Sequence, residues 1–272
     1  MIQDIAPHRF DNTYTQNKAK DDDLILVFDD DKVLCKIEKD DVIFPRGKDL
    51  KDEEAIYLFR IDELAYFFCD SKEEPEGFSY NSLRSIRDSI DHKETLMFGL
   101  YTAYHLSLWY KDNSFCGRCG NKLELAKDER ALECPRCHKR IYPRINPAVI
   151  IAVKNGDSLL ITRYARGFAH NALVAGFSEI GETFEDTVKR EVMEEAGIKV
   201  KNITYYKSQP WGIAQDILAG FYCEVDGDDH ISMDEKELKY ASWVRREDIE
   251  LQPTDYSLTN EMMRMFKEGK IK

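Results

Sequence analysis

Three glutamates, Glu191, Glu194 and Glu195, stand at i, i+3 and i+4 within the segment from Gly176 to Ile198. On a helix running roughly from Thr183 to Ala196 they project from one face, where like charges repel by about a few tenths of a kcal/mol per pair. A bound divalent cation would remove that repulsion. The reaction that calls for carboxylates gathered in this way is phosphoanhydride hydrolysis, in which cations neutralise the phosphate oxygens and help to generate a water nucleophile. Arg190, one turn before Glu194, is placed to steer Glu194 or Glu182 through a charge-assisted hydrogen bond. A solvated, Glu-rich surface helix is the competing explanation. It does not account for the glycines, the arginine and the acids falling together at fixed spacings.

A second set of residues with chemical capacity lies upstream. Cys116-Gly-Arg-Cys119 and Cys134-Pro-Arg-Cys137 are two Cys-x2-Cys knuckles separated by fourteen residues. That spacing delivers four thiolates to a tetrahedral Zn²⁺, whereas a dithiol redox pair would explain one knuckle and leave the other idle. Four protein ligands close the site, so this zinc is expected to stabilise the fold and not to activate water. His138, next to Cys137, is read as an exposed side chain and not a ligand. Cys35, Cys69 and Cys223 have apolar neighbours and are read as small core residues.

The elements that must hold these groups can be read around them. Val188, Val192 and Ala196 form an apolar stripe by which the glutamate helix would pack on a sheet, and Gly197 is suited to end it. Gly176 and Gly181 are read as allowing a tight loop into the helix. Upstream, Ala148 to Val153 and Leu159 to Thr162 are strand-like, and Asn155-Gly156 between them signals a hairpin. Gly220 to Val225 and Tyr240 to Val244 are further strands, and Ser257 to Lys267 a closing helix. In the first part of the chain, Leu24 to Phe28 is a buried strand candidate. Leu96, Leu100, Tyr104 and Leu108 recur every four residues along one helix. The acidic triplets Asp21–Asp23 and Asp29–Asp31 are read as solvated turns.

The expected organisation is an N-terminal α/β domain (1–111), a cysteine module (112–146) and a third domain (147–272), which 272 residues accommodate comfortably. The apolar fraction of 43% comes without a long uncharged run, which predicts no membrane span. The first ten residues lack the apolar core of a secretory signal, and a cytoplasmic location is expected. A net charge of −12 opposes nucleic-acid binding by the surface as a whole. The cysteine module is the exception, with eight Lys and Arg against five Asp and Glu.

The stretch from Gly176 through Ile198 matches the Nudix box, Gly-x5-Glu-x7-Arg-Glu-aliphatic-x-Glu-Glu-x-Gly-aliphatic, at every defined position. With the four-cysteine module before it and Ser208-Gln209-Pro210-Trp211 after it, the chain resembles the zinc-ribbon NADH pyrophosphatase (NAD diphosphatase) family. The resemblance implies an α/β Nudix fold, a mixed sheet between helices. It also implies hydrolysis of NAD(H) to AMP and nicotinamide mononucleotide with Mg²⁺ or Mn²⁺, action on NAD-capped RNA 5′ ends, and a homodimer. Carried over by position, it makes Glu191, Glu194 and Glu195 metal-binding acids, helped by the backbone carbonyl of Ala175 and by Glu237, with Glu195 or Glu194 as base. Substrate contacts map to Glu129, Tyr142 and the segment from Gln209 to Asp216. Phe177 and Trp211 are placed as the aromatic pair that stacks on the nicotinamide.

One segment departs from the family. Where the family reads Gln-Pro-Trp-Pro-Phe-Pro-x-Ser, this chain has Gln209-Pro210-Trp211-Gly212-Ile213-Ala214-Gln215-Asp216. Two prolines, a phenylalanine and a serine are replaced. Another nucleoside-diphosphate conjugate, such as ADP-ribose, a dinucleoside polyphosphate or a nucleotide sugar, is therefore the alternative substrate. A nucleotide-sensing regulator is the third reading, and the intact glutamates argue against it.

Overall fold

The structure is a computed structural model that describes residues 1–39, 41–50, 55–89, 94–166 and 170–271. The chain divides into two compact units, one comprising 1–3, 145–211 and 215–272, the other 4–144 and 212–214.

In the first unit a six-stranded mixed sheet is built from Asn146–Asn155, Ser158–Tyr164, Val174–Phe177, Val200–Trp211, Asp216–Val225 and Leu238–Arg245. Asn146–Asn155 lies at its centre, parallel to Asp216–Val225 and antiparallel to Ser158–Tyr164 and Val174–Phe177. A strand covered on both faces reads as a continuous apolar run, which is how Ala148–Val153 reads. Its alternate residues go to different cores. Val149, Ile151 and Val153 pack with Val188, Val192 and Ala196 of the helix Phe184–Ala196, whereas Ile150 and Ala152 pack with Leu258, Met262 and Phe266 of the closing helix Leu258–Lys267. The sheet thus lies between two helices. The expected hairpin is present, with Gly156 (φ +56°) and Asp157 as turn residues between the paired Asn155 and Ser158.

The second unit carries two four-stranded sheets, the 19-residue helix Glu94–Asp112 and the three short strands of the cysteine module, Glu124–Leu125, Leu132–Glu133 and Arg140–Ile141. The run from Leu24 to Phe28 is buried as expected. It forms two strands in place of one, because Leu24–Leu26 pairs with Leu64–Phe68 and Phe28–Asp29 turns to Lys32–Glu38. Of the expected four-residue stripe, Leu100 and Tyr104 are buried and Leu96 and Leu108 half-buried, while Met97, Tyr101, Trp109 and Tyr110 are also inside. Cys35, Cys69 and Cys223 are core residues. Among the described residues no helix is long and apolar enough to cross a membrane.

Candidate active site

The helix that bears the glutamates begins and ends where its sequence dictates. Thr183 caps the start, its hydroxyl accepting the Asp186 N–H, a contact worth about 1 kcal/mol. Gly197 stops it in the left-handed region at φ +71°, its N–H bonded to the Met193 carbonyl. Between these caps Val188, Val192 and Ala196 are fully buried against the sheet, and this fixes the rotation of the helix.

That rotation aims Glu191 and Glu195 at the strand Val174–Phe177. Glu191 is 9% exposed and Glu195 2%. Gly176 belongs to this strand and not to a loop, which corrects the sequence reading, and its role is steric. A Cβ built there would lie 2.0 Å from the Glu191 carboxyl carbon. Only glycine leaves room for that carboxylate. Gly181, at φ +97°, does serve the turn into the helix.

Arg190 organises the acids around it. Its Nε and Nη2 donate to the two oxygens of Glu182 at 2.6 and 2.9 Å, Nη1 donates to Glu191 at 2.7 Å and Glu194 at 3.0 Å, and Nη2 also reaches the Phe177 carbonyl at 2.9 Å. Paired in this way, Glu182 is held down at about 2, chiefly by Arg190. Glu195 is the opposite case. Burial, and then the nearby charges of Glu191 and Glu237, push it up to about 8, against a lowering backbone hydrogen bond from Ala175. Its Oε2 is buried with no partner among the described residues. Glu191 is also raised, first by burial and in spite of Arg190. Two buried, mutually repelling carboxylates, one with an orphaned oxygen, fit a divalent cation, whose charge would offset both the desolvation and the repulsion. Glu194 differs, for its side chain is 59% exposed and rests on Arg190. The helix therefore divides the three glutamates between two environments.

Other sequence candidates fall as follows. Glu237, exposed, precedes the strand Leu238–Arg245. Phe177 is 51% exposed and free to meet a ligand, and Trp211 is half-buried. Gln209 is fully buried, with its amide oxygen accepting the Leu258 N–H at 2.7 Å and its nitrogen donating to the Tyr256 carbonyl at 2.6 Å. It anchors the start of the closing helix. Pro210 and Ala214 are exposed, and Ile213 and Gln215 half-buried.

Asp216 is 5% exposed, Oδ1 has no partner among the described residues, and burial pushes its carboxyl up to about 7. Gly212 has a steric reason: a Cβ at this position would fall 2.0 Å from the Tyr101 carbonyl oxygen, so close backbone approach excludes every larger residue, the family's proline included.

Glu129 and Tyr142 are brought together in the cysteine module. The Tyr142 hydroxyl donates to Glu129 Oε1 at 2.9 Å, and Arg140 Nη1 donates to the same oxygen at 2.6 Å. Sequence reasoning missed Arg140. Its place opposite Glu133 comes from the register of two short strands, which no local sequence pattern announces.

The four cysteines of the knuckles have their Sγ atoms within 4.8 Å of one another, and no other such cluster occurs among the described residues. Cys116 and Cys137 sulfurs are 3.6 Å apart, Cys119 and Cys134 3.5 Å. Zn–S bonds of about 2.3 Å in a tetrahedron require S···S separations of about 3.8 Å, so the set fits zinc with little adjustment. Backbone N–H groups, that of Arg118 foremost, hold the Cys116 thiol down at about 6, which favours the thiolate a metal needs. His138 is exposed and outside the cluster. Elemental analysis of the purified protein should find one zinc per chain. A zinc-free protein, or cysteines found as disulfides, would contradict this assignment.

Comparison with known proteins agrees with this arrangement. The NUDIX domain family matches residues 144–266, and the NADH pyrophosphatase zinc ribbon domain matches residues 111–142. Proteins named NAD-capped RNA hydrolase NudC from Salmonella heidelberg (strain SL476) and Shigella boydii serotype 18 (strain CDC 3083-94 / BS512) are each 41% identical to this chain over 175 residues. The match covers 64% of this chain and 67% of each relative. A solved NUDIX hydrolase from Nitrosomonas europaea aligns with a TM-score of 0.49 at 20% identity, over 57% of this chain and 91% of that one. Box, ribbon and relatives agree: the chain belongs to the Nudix hydrolases, in the group that carries the NADH pyrophosphatase zinc ribbon.

Proposed function

We propose that this enzyme hydrolyses the pyrophosphate of NAD(H) to AMP and nicotinamide mononucleotide, and acts in the same way on NAD-capped RNA 5′ ends. The observation that carries the reading is the pair of buried glutamates, Glu191 and Glu195, packed against a strand whose glycine makes room for one of them. The relatives named NAD-capped RNA hydrolase point to the substrate.

Mg²⁺ or Mn²⁺ would be held by Glu191, Glu194, Glu195, the Ala175 carbonyl and Glu237. When bound, such a cation neutralises the diphosphate oxygens and lowers the pKa of water. The remaining work belongs to the protein. Glu195 Oε2, which no donor reaches, accepts the proton of the attacking water, and a buried carboxylate is a stronger base than an exposed one. Arg190 keeps Glu182 ionised and fixes both Glu182 and Glu194 in place. Phe177 and Trp211 stack on the nicotinamide, and Glu129 and Tyr142 are substrate contacts. Supporting this, Phe177 and Tyr142 are each more than half exposed, as rings that await a ligand must be.

A broader substrate range is favoured by one observation. Gly212-Ile213-Ala214 lacks both the prolines and the ring of the family segment, and Gly212 has no room for a side chain. Isoleucine offers no flat face, so discrimination for the nicotinamide should fall. The reading is tested by incubating the protein with NADH and Mg²⁺ and separating the products. AMP with reduced nicotinamide mononucleotide supports it, and intact NADH refutes it.

The domain boundaries at 111/112 and 146/147, a cytoplasmic location and a homodimer belong to the same reading. The homodimer is checked by light scattering at micromolar concentration, where a monomer mass would remove it.

A further inference from the structure

Arg140 lies on the short strand Arg140–Ile141, with Glu133 directly opposite it on Leu132–Glu133. Its guanidinium gathers three carboxylates. Nε donates to Glu133 Oε2 at 3.0 Å, and Nη1 donates to Asp128 Oδ2 at 2.9 Å and to Glu129 Oε1 at 2.6 Å. The Tyr142 hydroxyl donates to that same Glu129 oxygen at 2.9 Å. The remaining Glu129 oxygen, Oε2, receives no donor among the described residues and is left to accept from a ligand.

Stability does not explain this arrangement well. The side chains of Glu129 and Asp128 are 42% and 62% exposed, and their individual pairs with Arg140 contribute little to folding; the Glu133 pair, at 33% and 34%, is the more sheltered one. Geometry and charge do explain it. The N–H groups of the guanidinium lie in fixed directions in one plane, so the bonds to Glu133, Asp128 and Glu129 hold these carboxylates in set directions, as a freely rotating ammonium cannot. Its single positive charge also offsets part of the negative charge that these three acids would present to a substrate carrying a diphosphate.

We propose that Arg140 is a positioning residue for substrate binding: it orients Glu129, and through Glu129 the Tyr142 hydroxyl, and reduces the acidic field around them. This rests on the reading that Glu129 and Tyr142 touch the nucleotide. Arg140 itself is given no contact with the reacting atoms, so its loss should appear in KM and not in kcat.

The test is steady-state kinetics with NADH on the full-length protein, comparing Arg140→Gln and Arg140→Lys with Glu129→Gln and Tyr142→Phe, with zinc content and Tm measured on each. Arg140→Gln is expected to raise KM about tenfold with kcat within about twofold of the parent and one zinc per chain retained. Arg140→Lys restores the charge without the fork and should fall between the two. If Arg140→Gln leaves KM within about twofold while Glu129→Gln raises it, the positioning role fails and the substrate reading stands. If Glu129→Gln and Tyr142→Phe both leave KM unchanged, the substrate reading fails and takes the Arg140 role with it. Loss of zinc, of Tm and of kcat together in both Arg140 variants would show a structural role and overturn the proposal.

Discussion

Glu195→Gln is expected to lower kcat by at least roughly two to three orders of magnitude while the protein folds normally. The substitution keeps the shape and removes the charge. In the folded protein this carboxyl is 2% exposed, has one oxygen without a partner and is raised to about 8 by burial and by Glu191 and Glu237. A group kept in so unfavourable a place lowers stability when ionised. The neutral amide should therefore leave Tm unchanged or raise it at pH 9, where the parent carboxyl is mostly ionised. The sign follows from a folded-state pKa above the unfolded one, since the stability present at low pH is lost as pH rises through about 8. Parental activity in Glu195→Gln at saturating Mg²⁺ would remove Glu195 from the mechanism.

The second large effect is expected from a single methyl group. In Gly176→Ala the new Cβ would overlap the Glu191 carboxyl carbon at 2.0 Å, and the strand cannot retreat because Gly176 pairs with Val149 in the sheet. Glu191 must swing away from the position in which Arg190 holds it. A displacement of about 1 Å at a catalytic group costs on the order of 10² in rate, and a loss of about that size in kcat is expected, with weaker Mn²⁺ affinity measured by calorimetry. Alanine is a better strand residue than glycine, so the fold should persist. An alanine variant with unchanged kcat and Mn²⁺ affinity would show that Glu191 does not need that space.

These two positions mark how far sequence alone reaches. The glutamate helix was legible because its stop, Gly197, and its stripe, Val188, Val192 and Ala196, are local features that the tertiary fold did not override. The four cysteines were legible for the same reason, since knuckle spacing is itself local. Gly176 was not. A glycine kept for a turn and a glycine kept for a neighbour's carboxylate look alike in sequence, and only the packing of helix on strand separates them.

Gly212 repeats the lesson, since its missing side chain answers the Tyr101 carbonyl, more than a hundred positions away. The chemical split of the glutamates was equally hidden. Spacing put all three on one face, but only the rotation fixed by the apolar stripe decides that Glu191 and Glu195 are buried while Glu194 stays in solvent on Arg190. The break between Leu26 and Phe28 arose because one apolar run serves two sheets, which no local pattern announces.

Measuring kcat/KM for NADH, NAD⁺, ADP-ribose and diadenosine polyphosphates, with Mg²⁺ and with Mn²⁺ and with products identified, decides the assignment of this enzyme. NADH should be cut to AMP and reduced nicotinamide mononucleotide and should lead the series. Its margin over the other diphosphates should be less than about a hundredfold, because the loop after Trp211 has lost its prolines and its ring. NADH left uncut while ADP-ribose or a dinucleoside polyphosphate is hydrolysed at the same glutamates would contradict the assignment.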